Sequence, residues 1–374
     1  MDLNLLKSLP FYIKLAAVLF SLIALVYIVV TAKEILSPLI FSCLFSILLL
    51  PFAAFLENKL RLPRSAASML AVITLLACIG GLLYAIASQI SSLVSDWPQF
   101  QDQLHKSQET LQDWIRSSFH ITKHKQNTFV ANTTNKVMAS GTTVVGTTLL
   151  SLSSLLLFFV FTFIYIFFFL LYRRLIMRFL ESVFLNENKK LVHDIIEQVQ
   201  FIIRKYIIGL LIEMAIVATV VSLAFTFLGI KYAILLGLVT GLFNIIPYIG
   251  IFSALIVSSA VTFATAPNPT TVLYVVITLV ITHLIDSNVL LPMVVGSKVR
   301  INALITVLGI IIGEMIWGIP GMFLSIPVIA VLKIIFDRIE SLKSWGIILG
   351  YEEPKQNRLA KTLKVKKKVA VPRE

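Results

Sequence analysis

Apolar residues in this chain come in blocks about as long as a bilayer is thick. About 20 consecutive apolar residues carry a helix across ~30 Å of hydrocarbon. Runs of that order occupy Phe11–Ala32, Ile35–Leu56, Ala66–Ala87, Leu149–Tyr172, Ile207–Gly229 and Val272–Val295. Two further stretches, Tyr232–Ala266 and Ile301–Leu332, are too long for one ordinary span. Composition agrees, with 58% hydrophobic and 14% charged residues, where a soluble domain has roughly 45–50% and 25%. One soluble core could not hide that much apolar surface, so lipid must cover much of it. The fold class expected is an all-α integral membrane protein.

The first run, preceded by Lys7 and containing Lys14, is longer than the 7–15 residues of a signal-peptide core, so it reads as a retained helix. Cys43 and Cys78 lie in apolar runs with no metal-ligand or disulfide pattern, and read as small buried hydrophobes.

The net charge of +13 could suggest nucleic acid, but its distribution suggests topology. Lys and Arg near span ends mark the cytoplasmic side. They gather at Lys59, Arg61 and Arg64, at Arg173, Arg174, Arg178, Lys189, Lys190, Arg204 and Lys205, and in the tail from Lys333. The segment Gln89–Thr148 is nearly balanced, with 5 basic and 4 acidic residues. Both termini are therefore expected in the cytoplasm and residues 89–148 outside. Membrane lipid is an expected partner and nucleic acid is not; the tail Lys361–Lys368 reads as a solvated tail, with contact to anionic lipid heads as the alternative. Two amphipathic stripes stand out. Ile90, Leu93, Val94, Trp97, Leu104, Leu111, Trp114 and Ile115 make one, bent near Pro98. Leu191, Ile195, Val199, Ile202 and Tyr206 make the other, expected on the membrane surface or against a neighbouring helix.

The long stretches resemble each other. Gly237 and Gly241 are followed by Pro247 and Gly250; Gly309 and Gly313 are followed by Pro320 and Gly321. Proline removes a donor, and backbone can break at membrane depth only where protein or water satisfies it. Each stretch is either a full kinked crossing or a re-entrant hairpin. Lys298 and Arg300 favour hairpins, because full crossings would put both outside. The C-terminal half would then be an inverted repeat, a pattern that points to a transport site. The organisation expected is three N-terminal spans (1–88), the outside segment (89–148), a fourth span with a cytoplasmic linker helix (149–206), a transport core (207–340) and a basic tail (341–374).

Charge inside these apolar runs is sparse. Asp286 is the only acid between Lys231 and Lys298, with His283 three residues earlier and Asn288 just after it. Glu314 is the only charge from Ile301 to Leu332, and Glu213 the only one in the fifth span, near its start. A carboxylate at membrane depth costs at least ~2.5–3.5 kcal/mol. Such groups face a cavity or partner and mark ion or substrate paths, or else tether helices by hydrogen bonds.

The order Asn244-x-x-Pro247-Tyr248-x-Gly250, Asp286-x-Asn288-x-x-x-Pro292-x-x-x-Gly296 and Gly318-x-Pro320-Gly321-Met322-x-x-x-x-Pro327 resembles the AI-2E family of bacterial membrane transporters. The likeness covers nearly the whole chain. Ala303-Leu304 stands where many members have Pro-Leu. The resemblance implies a transporter in the plasma membrane. Roles within the family differ: export of autoinducer-2 in some members, sodium/proton exchange in others.

The leading expectation is a secondary transporter of a small solute or cation. Asp286 and Glu314 would be coupling groups, Asn244, His283 and Asn288 polar ligands, and Glu213 a further candidate. Pro247, Gly250, Pro292, Gly296, Pro320, Gly321 and Pro327 are candidate breaks or hinges. No P-loop is present, so direct ATP drive is not indicated. No His-Glu-x-x-His or Gly-x-Ser-x-Gly argues for an enzyme. No metal or cofactor is expected, and a homo-oligomer is. A passive pore using the same polar residues, or a scaffold, are the alternatives.

Overall fold

The computed structural model describes residues 10–95, 153–184, 188–246, 249–266, 268, 270–290, 293 and 301–350. Most of the expected outside segment, the tail beyond 350, Pro247, Tyr248, Pro292, Gly296, Lys298 and Arg300 lie outside the described residues. The described helices are α1 (Phe11–Thr31), α2 (Lys33–Lys59), α3 (Arg64–Ser95), α4 (Ser153–Leu171), α5 (Arg173–Val183), α6 (Lys189–Phe227), α7 (Ala233–Phe243), α8 (Ile249–Thr265), α9 (Thr270–Ile285), α10 (Ala303–Trp317), α11 (Ile319–Arg338) and α12 (Lys343–Leu349). Among the described residues the one β pairing is an isolated bridge between Ile301 and Gly350. Among the described residues, seven helices are long and apolar enough to cross a bilayer: α1–α4, α6, α9 with the turn that extends it, and α11. The chain is an all-α integral membrane protein.

α6 organises the fold. Its 39 residues extend about 58 Å at 1.5 Å per residue, nearly twice the hydrocarbon thickness. Its charged first half therefore stands clear of lipid. The stripe Ile195, Val199 and Ile202 packs against Ala330 and Ile334 of α11, so a neighbouring helix covers it. Further along, Ile203, Tyr206, Ile207 and Leu210 meet Leu44 of α2 and Leu324 of α11. Beyond these, Val217, Val221 and Phe225 join Leu236 of α7 and Val275 and Leu279 of α9. A separate cluster ties α2 to α3 and α4 through Ala53, Ala71, Val72, Ile166 and Leu170. Lipid tails are as apolar as these side chains, so close packing rather than water exclusion holds such contacts together.

Both long apolar stretches break. The first gives α7, 11 residues, and α8, 17 residues, or about 16 and 25 Å of helix, each shorter than the hydrocarbon core. α7 runs antiparallel to α6. Gly237 lies against Ser222 and Ala218, and Gly241 against Ala218 and Met214, each too close for a side chain at the glycine. The second stretch breaks at Gly318, whose φ of 67° is left-handed and favours glycine. α10 and α11 then pack tightly, with Gly313 against the Gly321 backbone and Gly309 against Ile329 and Ser325. Pro320 sits in the first turn of α11, where its missing N–H costs nothing. Pro327 lies within α11, which continues through it. The second stretch differs from the first in reach: α11, with 20 residues, can cross the bilayer by itself.

Candidate functional site

The antiparallel register of α6 and α7 sets one amide beside one carboxyl. Asn244 ends α7 and faces Glu213, midway along α6. α9 returns alongside and gives way at Asp286 to a π-helical turn, Asp286–Leu290. Such turns insert a residue into the helical ladder and recur at functional sites. The Asn244 Nδ2 group donates to Glu213 Oε1 at 3.1 Å and to Asp286 Oδ2 at 3.1 Å. One neutral amide thus bridges two carboxyl groups from two other helices. Glu213 is 2% exposed and Asp286 5%.

Each carboxyl has a second oxygen, Glu213 Oε2 and Asp286 Oδ1, that is buried without a hydrogen-bond partner. A cavity with room for about one water molecule borders the bridge, lined among others by Thr240, Asn244, Thr282, His283 and Asp286. The amide supplies two N–H donors but no charge. Two anionic carboxylates side by side in a buried site would be left with uncompensated charge. A proton or a small cation can balance them, and the unpartnered oxygens are the atoms to receive it.

Other residues singled out from the sequence fall in several places. His283 lines the cavity and its Nε2 lies 3.4 Å from Ser287 Oγ. Asn288 is exposed and donates to the Leu284 carbonyl at 2.8 Å, on its own helix. Gly250 borders the cavity and packs against Phe243, where the chain turns from α7 into α8. Glu314 lies exposed on α10, in the other broken stretch, and is not part of the bridge. Pro320, Gly321 and Pro327 shape α11 and make none of the bridge's hydrogen bonds. Thr240 and Thr282 were not singled out from the sequence. Each lies four residues before a bridge residue, Asn244 or Asp286, and so shares its helix face; that spacing was a usable signal.

Helices of spanning length packed around a buried polar centre define a polytopic membrane protein of the transport type. The chain belongs to the AI-2E transporter family: residues 17–341 match "AI-2E family transporter". It is 27% identical over 314 residues to "Putative transport protein YrrI" of Bacillus subtilis, covering 81% of this chain and 86% of the relative. It is 26% identical to "Putative transport protein YueF" of the same organism, covering 82% and 84%. It is 21% identical to "Putative transport protein YhhT" of Escherichia coli K12, covering 90% and 93%. The protein is a membrane transporter of this family, and its family and relatives are named for transport, not for an enzymatic reaction.

Proposed function

We propose that the protein is a secondary transporter of a small solute or cation, and that its coupling ion, a proton or sodium, binds between Glu213 and Asp286. One observation carries this reading: Asn244 holds two buried carboxyl groups together while each keeps an unpartnered oxygen. A purely structural tether would satisfy those oxygens, because an unmade buried hydrogen bond costs about 1–3 kcal/mol. Binding the ion removes that cost and the repulsion. Releasing it restores both, so occupancy biases how α6, α7 and α9 pack. In this reading α7 and α8 form a re-entrant hairpin whose tip delivers Asn244 to the site. The end carrying Arg64, Arg173 and Arg178 faces the cytoplasm of a bacterial cell, with the protein in its plasma membrane. Autoinducer-2 and sodium are the cargoes to try first.

Gradient-driven flux in sealed proteoliposomes tests this. The full-length protein should move substrate or protons uphill when a sodium or pH gradient is imposed. Glu213→Gln and Asp286→Asn should each abolish coupling, whereas Glu314→Gln should retain it. Flux that only dissipates gradients would make the protein a passive pore. Wild-type coupling by Asp286→Asn would remove the site from the mechanism.

A further inference from the structure

Glu57, near the end of α2, lies among three arginines. Arg64, which opens α3, places its Nε 3.5 Å from Glu57 Oε1. Arg173, which opens α5, is paired and hydrogen-bonded to Glu57 Oε2 through Nη2. Arg174 Nη2 lies 3.6 Å from Glu57 Oε1. Three guanidinium groups against one carboxylate leave two positive charges over.

Exposure makes the second observation. The Arg174 side chain is 61% exposed, while Arg64 and Arg173 turn in on the half-hidden Glu57. Glu57 is already shared three ways. The missing partner is an acceptor-rich anion, and a phosphate ester matches guanidinium donors in geometry as well as charge.

The surroundings say which kind. The cluster lies at the ends of the apolar helices α2, α3 and α4, where headgroups sit. α5 is amphipathic: Leu175, Phe179 and Val183 share one face and are each more than 60% exposed, while Arg174 and Arg178 lie off that face. A short helix with an exposed apolar face and basic residues lies in the membrane interface.

We infer that Arg64, Arg173 and Arg174 form a binding site for the phosphate of an anionic phospholipid, with the apolar face of α5 embedded beside its acyl chains. The site is separate from the Glu213–Asp286 pair, and its test does not involve transport.

The test uses full-length protein in a neutral detergent, read by thermal unfolding and by native mass spectrometry. Added phosphatidylglycerol should raise the unfolding temperature and give a one-lipid adduct; phosphatidylcholine should do neither. Arg174→Gln leaves the Arg173–Glu57 pair intact, so the variant should fold. It should bind phosphatidylglycerol about tenfold more weakly, the effect of one charge-assisted contact. The phosphatidylglycerol shift should also shrink as salt is raised. Equal effects of the two lipids, or an unchanged affinity in Arg174→Gln, would overturn the proposal. So would an equal effect of inorganic phosphate, which would make the ligand a free anion rather than a lipid.

Discussion

The two broken stretches look alike in sequence and differ in what they carry. Both present two glycines four apart, then a proline and a glycine. Both fold into helices that reverse direction over glycine contacts. The first brings Asn244 to two buried carboxyls. The second closes on itself: Gly313 and Gly321 touch backbone to backbone, and Trp317 Nε1 donates to the Val29 carbonyl of α1 at 3.0 Å. Its one acid, Glu314, faces outward. The repeated pattern therefore encodes a shape, and the chemistry depends on what neighbouring helices bring to it.

The comparison breaks most sharply at Gly321. A Cβ there would meet the Gly313 carbonyl, which is backbone and cannot swing aside. Gly321→Ala should cost about 3 kcal/mol or more and open the second stretch; unfolding in detergent measures it. Gly80→Ala, with open space around it, should be stabilising or neutral. In the first stretch the sensitive residue is polar. Asn244→Leu leaves two buried carboxyls without their shared donor and should cost about 2–3 kcal/mol. Coupled flux should vanish with it, so a variant of wild-type stability would dissolve the bridge as a structural unit. Trp317→Phe removes one hydrogen bond while keeping the ring, and should cost about 1 kcal/mol with flux retained. The smallest effect lies away from both stretches. His193 on α6 pairs with Glu181 of α5 at 3.1 Å, and this hydrogen bond holds its imidazole above the usual range. A raised value means the tie is fully present below the ordinary imidazole pKa and is lost as pH rises through the raised one. Hydrogen exchange should show α5 loosening toward alkaline pH, while amides of α7 and α10 stay unchanged.

Local chemistry made parts of this legible in the sequence. Apolar blocks announced the spanning helices, Asp286 stood out as the only acid between Lys231 and Lys298, and Asn244 through its place three residues before Pro247. The break near 244–250 was visible through Pro247 and Gly250. Glu213 was harder. Sequence places it only near the start of an apolar run, yet α6 extends 24 residues before it and α7 folds back over it, so it is buried. Its pairing with Asp286 spans 73 positions and depends on the antiparallel register of α6 and α7, which no local pattern records. The π-helical turn at Asp286 was signalled only in part: Asp286, Ser287 and Asn288 compete with the helical backbone for hydrogen bonds, but that does not specify a π turn. Pro327 misled in the opposite direction: a proline in lipid suggests a break, but the break fell at Gly318, where the backbone needs a left-handed residue.

The length of α6 has a mechanical consequence. From Ile195, seated against α11, to Glu213 is 18 residues, about 27 Å of one uninterrupted rod. A rod does not absorb displacement. Tilting it at its foot by about 5° would swing Glu213 by about 2 Å, enough to stretch its contact with Asn244 past hydrogen-bonding range. The foot carries Lys189, Lys190 and Asp194 and the acid is buried, so a helix this long can carry a tilt from its charged end to a carboxyl deep in the protein.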